Sequence, residues 1–590
     1  MNAMVDPFVA VSRRSLRGIR FCVVSTLFLS LFAMTSNVRA ADASELDGTA
    51  DLVLRNGRIY TVDKSQPWVE ALAVKDGIIV ARGSEADLKK WIGDGTRTLD
   101  LEGGFAMPGF IEGHAHLLGM GEARLNLWLA DTRSWDEIVA RVKDAAAKAA
   151  PGDWITGRGW HQEKWDAQPA KIVKGFPTHE ALSKVAPNNP VVLEHASGHA
   201  LIANAKAMEV ANIGSDVKDP QGGEVFRDAK GNLTGIFNEA AESLIYRALE
   251  RHRSTLSEGA RNSRTRKALR LAMQECLAKG VTSFQDAGSS FEMIEAYKAL
   301  AGEQKLGIRL WVMVNAGIDD LRENLHRYRK LKRYGNGYLT LGGIKAYADG
   351  ALGSRGAWLL KPYADMPGQL GQNVTTVAEL EQLAEIALAH ELQLCVHAIG
   401  DRANREVLDV YKRALEGRDK RWRIEHAQHL HPDDIPRFAE LKIIASMQGV
   451  HCTSDAPFVE KRLGHDRASQ GAYAWQALWR AGVVVSNGTD APVEDVSPLA
   501  SLFSTVTRQL ADGSVFFPKH KLDMDQAIRS YTINPAYAAF EEDIKGSLEV
   551  GKLADIVVLS KNLMDVDPVR IRDAEVVYTI VNGDIRYRKP

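Results

Sequence analysis

The segment Pro108-Gly-Phe-Ile-Glu-Gly-His114-Ala-His116-Leu117 reads as an apolar β-strand that ends in two histidines, two residues apart. Successive side chains of a strand point to opposite faces, so His114 and His116 aim two imidazoles at one spot. Imidazole is the commonest nitrogen ligand for zinc and its neighbours. Pro108-Gly109 suits a sharp entry into the strand, because proline fixes φ and glycine tolerates any value. Taken alone, the pair also fits two unrelated histidines, one satisfied in the core and one solvated.

Downstream of this strand, apolar runs alternate with helical stretches, the pattern of a parallel α/β fold. The runs are Val281-Thr-Ser-Phe-Gln-Asp286, Ile308 to Val314, Gly343-Ile-Lys345-Ala-Tyr-Ala-Asp349 and Leu394-Cys-Val-His397-Ala. Arg423-Ile-Glu-His426-Ala, Ile443-Ile-Ala-Ser-Met-Gln and Val483 to Asp490 follow. A typical intervening stretch is Val377 to His390, rich in Ala, Leu and Glu. With the His114 strand this makes eight, the number that closes a (β/α)8 TIM barrel, expected over residues 106–535. The gap between the first two strands is too long for one loop and helix. It contains strand-like Trp154 to Trp160 and Pro190 to His195, then a hairpin pattern from Gly223 to Gly235. Residues 120–265 are therefore expected to form an inserted subdomain over the mouth of the barrel.

The flanks of the barrel have a different texture. Asp51 to Val62 alternates around Asn56-Gly57, a hairpin signal, and Glu70 to Val80 repeats the pattern around Asp76-Gly77. Ala554 to Leu559 and Val576 to Arg586 have the same character. Neither end is large enough to bury a good core, so 41–105 and 536–590 are expected to pair into one composite β-sandwich. Ahead of them, Arg13, Arg14, Arg17 and Arg20 precede an apolar run from Phe21 to Met34 and a small-residue cleavage pattern, Val38-Arg-Ala40. This reads as a signal peptide over 1–40 and an exported, periplasmic or secreted, bacterial protein. The run is short for a membrane span, so no stable membrane insertion is expected after cleavage. Ser12-Arg13-Arg14-Ser-Leu16 is a weak twin-arginine pattern, which leaves the export route open.

Lys+Arg 74 against Asp+Glu 75 gives a net charge of −1, which argues against nucleic acid or an anionic membrane as partner. Past the leader, Cys276, Cys395 and Cys452 are spaced too widely for a disulfide framework or a zinc finger. The chemistry instead gathers at strand ends. His114 and His116 close the first strand, Lys345 lies on the fourth, His397 on the fifth, His426 on the sixth, and Asp490 ends the eighth. Barrel enzymes assemble their sites from several strands at that face, and five strands here each offer a metal-competent group.

On these motifs the chain resembles the metal-dependent amidohydrolase superfamily, and within it the N-substituted formamide deformylases and related exported proteins of amidohydrolase family 3. The resemblance is carried by Gly104-Phe-Ala-Met-Pro-Gly-Phe-Ile-Glu-Gly-His-Ala-His, Gly157-Arg-Gly-Trp-His-Gln-Glu-Lys-Trp and Gly343-Ile-Lys-Ala-Tyr-Ala-Asp-Gly-Ala-Leu-Gly-Ser-Arg. Val396-His-Ala-Ile-Gly-Asp-Arg-Ala, Arg423-Ile-Glu-His-Ala-Gln, Gly488-Thr-Asp-Ala-Pro-Val and Gly546-Ser-Leu-Glu-Val-Gly-Lys-Leu-Ala-Asp-Ile-Val complete it. The resemblance implies one metal on His114, His116 and Asp490, and a second on His397 and His426. Lys345 would bridge them as a carbamate. Two zinc ions per chain suit these ligands, although manganese, iron or cobalt fit the same donor types. The implied reaction is hydrolysis of an amide or N-substituted formamide, with Asp490 moving the proton from water to the leaving amine.

For substrate contacts the expectation is His199 and His451, by resemblance, with Trp160 as a wall of an apolar pocket. His199 and His451 fit equally as groups that orient a ligand, and Trp160 with Trp165 fits the core of the insert. The alternative for Lys345 is an uncarbamylated lysine paired with Asp349, which leaves one metal. The chain departs from the branch at His161, where an acidic residue is usual, at His195-Ala-Ser-Gly-His199, where Arg-x-Asp-Gly-His is usual, and at Gln448-Gly449, where Gln-Pro is usual. The first two lie in the insert, so they bear on specificity. The expected partner is a small amide, and a homodimer is left open. Two rivals remain: a single-metal deaminase on the same scaffold, and a non-catalytic periplasmic regulatory protein.

Overall fold

The computed structural model describes residues 48–590; the leader expected over 1–40 lies outside the described residues. At its centre are eight parallel strands, β1 Phe110–Ala115, β2 Val281–Ser289, β3 Arg309–Val314 and β4 Leu339–Tyr347, then β5 Gln393–Ala398, β6 Arg423–His426, β7 Ile444–Gln448 and β8 Val485–Gly488. They neighbour one another in chain order from β1 to β8. The ring is drawn together where Asp490 N donates to His114 O at 2.8 Å and His116 N donates to Ala491 O at 2.7 Å. This is the (β/α)8 barrel that the eight apolar runs imply. Each strand is nearly continuous in buried residues, because helices cover the outside and side chains fill the inside.

Closure depends on backbone proximity. A Cβ at Gly488 would stand 2.4 Å from Glu112 Oε1 and 2.6 Å from His114 N, so only glycine lets β8 come this close to β1. The opposite, N-terminal end of the barrel is plugged by the segment after β8. Gln285 Nε2 donates to Pro535 O at 2.7 Å, Gln393 Nε2 to Ala538 O at 2.7 Å, and Asn534 Nδ2 to Val485 O at 2.9 Å. The reactive face is therefore the other one.

Two further sheets form the composite sandwich. One has four strands, in the order 78–83, 71–75, 52–55, 97–100; the other has six, in the order 584–588, 576–581, 556–559, 105–108, 58–60, 68–69. The second sheet joins the two chain ends, since Ile556–Leu559 runs antiparallel to Phe105–Pro108. Leu54, Ile59, Leu72, Ile79, Val558 and Ile580 pack between the layers. Of the glycine turns, Asp76-Gly77 makes a hairpin, with φ of 51° and 76° at the two positions. The hairpin expected at Asn56-Gly57 does not form. Only Asn56 takes a positive φ (53°), whereas the tight hairpin turn needs both central residues there. The turn instead carries the chain from one sheet to the other, which lets Leu54 and Ile59 face the same core.

Barrel and sandwich are joined through a buried ion pair. Arg309 on β3 donates from Nε to Asp555 Oδ2 at 2.7 Å, and both side chains are 5 % exposed or less. Asp555→Ala would strand the guanidinium without its counter-charge, and is expected to lower stability by about 3–5 kcal/mol, read as a lower urea midpoint.

Between β1 and β2 lies a six-stranded sheet ordered 223–227, 233–239, 200–203, 191–195, 155–160, 127–128. It carries an apolar cluster on each side, one around Trp160, Leu193 and Ile236 and one around Leu201, Phe237 and Ile245. Cys276, Cys395 and Cys452 are buried free thiols.

Candidate metal centre

His114 and His116 leave β1 on one face, with ring centres 5.8 Å apart. His426 lies 4.8 Å from His114 and 4.5 Å from His397, ring centre to ring centre. Asp490 Oδ1 stands 3.2 Å from His116 Nε2 and 3.6 Å from His114 Nε2. Lys345 enters the same space from β4, 2 % exposed, with its ammonium nitrogen 5.0 Å from the ring centre of Tyr347. The six residues that the strand ends singled out are thus brought together at the C-terminal face.

His451 joins them. It opens the helix His451–Leu463, and one ligand atom each from His426, His451 and Asp490 lie within 4.8 Å of one another, as do those of His114, His116 and Asp490. The donor set itself tests whether a cation fits. His114 Nε2, His397 Nε2, His451 Nε2 and Asp490 Oδ1 are all buried without a hydrogen-bond partner. A buried polar atom left unpaired costs about 1–3 kcal/mol, so four in one cluster are arranged for something that pairs with them. Neutral imidazole nitrogens and a carboxylate oxygen are the donors a divalent metal takes.

The surrounding residues hold these side chains in place. Glu425 Oε2 faces His114 Nδ1 at 2.5 Å and is fixed from behind by Arg423, whose Nε is 2.8 Å from Glu425 Oε1. Burial alone would push the Glu425 carboxyl up, but Arg423 and His114 hold it well below the usual carboxylate range. Engaged at Nδ1, His114 turns Nε2 to the centre; burial and then Lys345 push its pKa down to about 4, which keeps the ring neutral. His426 Nδ1 meets Gln448 Oε1 at 2.7 Å, which orients its other nitrogen in the same way. Asp349 is not paired with Lys345: its carboxylate accepts from the backbone N–H groups of Ile399, Gly400 and Trp358 at 2.8–2.9 Å, and its Oδ1 lies 3.6 Å from His397 Nε2. Burial pushes its pKa up to about 7 against those hydrogen bonds. Glu112, pushed up to about 8 by burial, accepts from Thr489 N at 2.7 Å and so fixes the turn that presents Asp490.

Burial also lowers the pKa of Lys345, with Glu425 and Asp490 acting against it. The carboxyl of Asp490, which burial would raise, is held well below its ordinary value by His116 beside it and by His114 and His426 further off. Backbone strain is concentrated here: His426, Ala427 and Asp490 have φ of 73°, 42° and 57°, conformations that cost non-glycine residues about 1–3 kcal/mol each.

From the insert, His199 comes to the cluster, its ring centre 6.2 Å from that of His397 and its Nδ1 2.9 Å from Glu239 Oε2. Trp160 does not. It is 0 % exposed, donates from Nε1 to Leu193 O at 2.9 Å and packs on Trp165 inside the insert, so the expectation that it walls a substrate pocket is corrected to a core role. Its neighbour His161 takes the outward place, 6.3 Å from Phe458 of the barrel. Sequence reasoning missed the supporting Glu112, Arg423, Glu425 and Gln448. Spacing of two along a strand from a ligand was the signal available for Glu112 beside His114.

A family profile described as "Amidohydrolase family" matches residues 97–587. The Arabidopsis thaliana protein Long After Far-Red 3 is 35 % identical over 554 residues, covering 91 % of this chain and 92 % of that one. The N-substituted formamide deformylase of Arthrobacter pascens is 28 % identical, covering 91 % of this chain and 98 % of its own length. Among solved structures, an uncharacterized metal-dependent hydrolase from Pyrococcus horikoshii superposes with a TM-score of 0.71 at 27 % identity, over 88 % of this chain and 99 % of that one.

Proposed function

The chain belongs to the amidohydrolase family, and on that footing we propose that it is a metal-dependent hydrolase of the C–N bond in small N-substituted amides, formamides included. The observation that carries the proposal is the gathering of three unpartnered buried imidazole nitrogens, of His114, His397 and His451, around an unpartnered oxygen of Asp490, with Lys345 alongside. His114, His116 and Asp490 would hold one divalent ion and His397 with His426 a second, zinc being the natural choice for such nitrogen-and-carboxylate sets. Lys345 would lie between them as a carbamate, formed when its neutral amine adds to the carbon of carbon dioxide and gives up a proton. Such ions, when bound, supply Lewis acidity that polarises a carbonyl and makes water acidic near neutral pH.

The chain's own groups account for the proton movements. Asp490 is kept ionised, so its carboxylate accepts the proton of the attacking water and returns it to the leaving nitrogen. Water's oxygen ends on the acyl carbon, the C–N bond breaks, and the products are a carboxylic acid and an amine. His199, tied at Nδ1 to Glu239, offers its Nε2 side to the substrate. The similarity to the deformylase supports the amide class. Export belongs to the same proposal, on the strength of the leader-like segment ahead of Ala41.

One preparation tests all of this. Protein taken from the periplasmic fraction should begin at Ala41 by N-terminal sequencing, contain two divalent ions per chain by elemental analysis, and release amine from members of an N-formyl and N-acyl amine panel. One ion per chain together with ammonia release from a heterocyclic amidine would turn the reading to a deaminase.

A further inference from the structure

Over the mouth of the barrel, the polar and ring contacts of the insert among the described residues fall on the side of β4 to β8. Glu239 meets Ser354 Oγ, after β4, at 3.4 Å; His199 faces His397 on β5; His161 stacks toward Phe458, after β7; and Lys164 Nζ lies 3.4 Å from Glu494, after β8. Among the described residues, no hydrogen bond, ion pair or ring contact joins the insert to the loops that follow β2 and β3. In that uncovered sector there is a cavity of about 750 Å³, lined among others by Asn315, Ala316, Ile318, Leu383, Lys345 and Tyr347. Tyr347 is shared between the two spaces: its ring centre lies 5.5 Å from that of His397.

We propose that this cavity is the entrance to the metal centre and the seat of the substrate's nitrogen substituent. The proposal rests on the C–N hydrolase reading and adds a substrate class to it. A formyl group needs almost no room, so the part of an N-substituted formamide that requires a chamber is the group on nitrogen. Among the lining residues, Ala316, Ile318 and Leu383 are apolar and suit a hydrocarbon segment on the substrate nitrogen. The outer rim carries Asp319, Asp320 and Glu379 against a single cation, Arg322, which is itself tied to Asp319 at 3.4 Å and Gln382 at 2.9 Å. A negative rim disfavours a distal carboxylate and favours a neutral or cationic end. The class is therefore an N-alkyl amide ending in a neutral group or an amine, as in a mono-acylated diamine, and not an N-acyl amino acid.

Three formamides of equal length test the charge selection: N-butylformamide, N-(4-aminobutyl)formamide and 4-formamidobutanoate, with N-methylformamide as a substrate too small to need the cavity. The first two should exceed the anion in kcat/KM by about tenfold or more, and Asp320→Asn should narrow that gap. Ala316→Trp, which narrows the cavity away from every proposed ligand, should raise KM for N-butylformamide about tenfold and that for N-methylformamide by a clearly smaller factor. Independently of any substrate, Ala316→Trp should slow removal of metal by dipicolinate severalfold at unchanged initial metal content. Equal effects on large and small formamides, or unchanged stripping, would overturn the entrance. Slowed stripping in a protein that hydrolyses no formamide would keep the entrance and remove the C–N reading.

Discussion

Asp490→Asn is expected to lower kcat about a thousandfold while the protein retains most of its metal. The carboxylate sits 3.2 Å from His116 Nε2 and belongs to both clusters of donor atoms, and an amide oxygen can still act as a ligand from the same position. What the amide cannot do is accept a proton. The surroundings of Asp490 favour its charged form, above all through His116, whose Nε2 stands 3.2 Å from its carboxylate. Neutralising it removes the base and leaves the fold of the turn intact, because Glu112 holds Thr489 through the backbone rather than through Asp490. Elemental analysis beside steady-state kinetics separates the two effects. A variant that keeps both metal and turnover would show that the proton is carried elsewhere.

Lys345→Ala is expected to fail in the opposite way, losing metal first. The lysine is 2 % exposed and makes no ion pair with a carboxylate among the described residues, so as an ammonium it would be a buried, uncompensated charge among four histidines. Burial favours the neutral amine, and a carbamate built on it supplies the negative charge and two oxygens that the position lacks. Removing it should therefore cost metal, and activity by about a hundredfold or more, the upper end of what losing even an outer partner of a ligand costs. Acetate or propionate added to the buffer fits the space left by the side chain and should restore part of both. Full metal content and full activity in this variant would leave a single-ion site as the better description.

Most of the barrel was legible because its strands are buried on both faces and so read as apolar runs of the right length, from Phe110 to Gly488. The ligands were legible because they close those runs. What escaped notice depended on backbone geometry rather than residue type. Strict alternation sends Glu425 and His426 to opposite faces, yet both serve the site. The reason is the positive φ of His426, which breaks the alternation and turns its imidazole inward beside the carboxylate that braces His114. Asn56-Gly57 misled for a related reason: its composition is that of a hairpin, but only one of its two residues adopts the required φ, and the core between the sheets decided the outcome. Trp160 was ambiguous in sequence because a tryptophan in an insert serves a pocket or a core equally well. The partner of its indole N–H, Leu193 O, decides for the core. His451 stands on a helix rather than a strand end, so no strand pattern could count it among the donors, although its Nε2 is as unpartnered as that of His114.

The sheet shared by the two chain ends has a consequence for how the molecule is made. Phe105–Pro108 feeds directly into β1 and its histidines, yet its partner strand, Ile556–Leu559, is synthesised only after the whole barrel. Until that strand arrives, the edge at Phe105–Pro108 is open, and loop closure over hundreds of residues has to precede its pairing. A ribosome-bound or prematurely terminated chain would carry the first two ligands on an unsecured strand with a bare edge, the kind of surface on which chains misassociate. The joint thus works as a checkpoint, because β1 gains its flanking sheet only in a chain that has been read as far as Leu559.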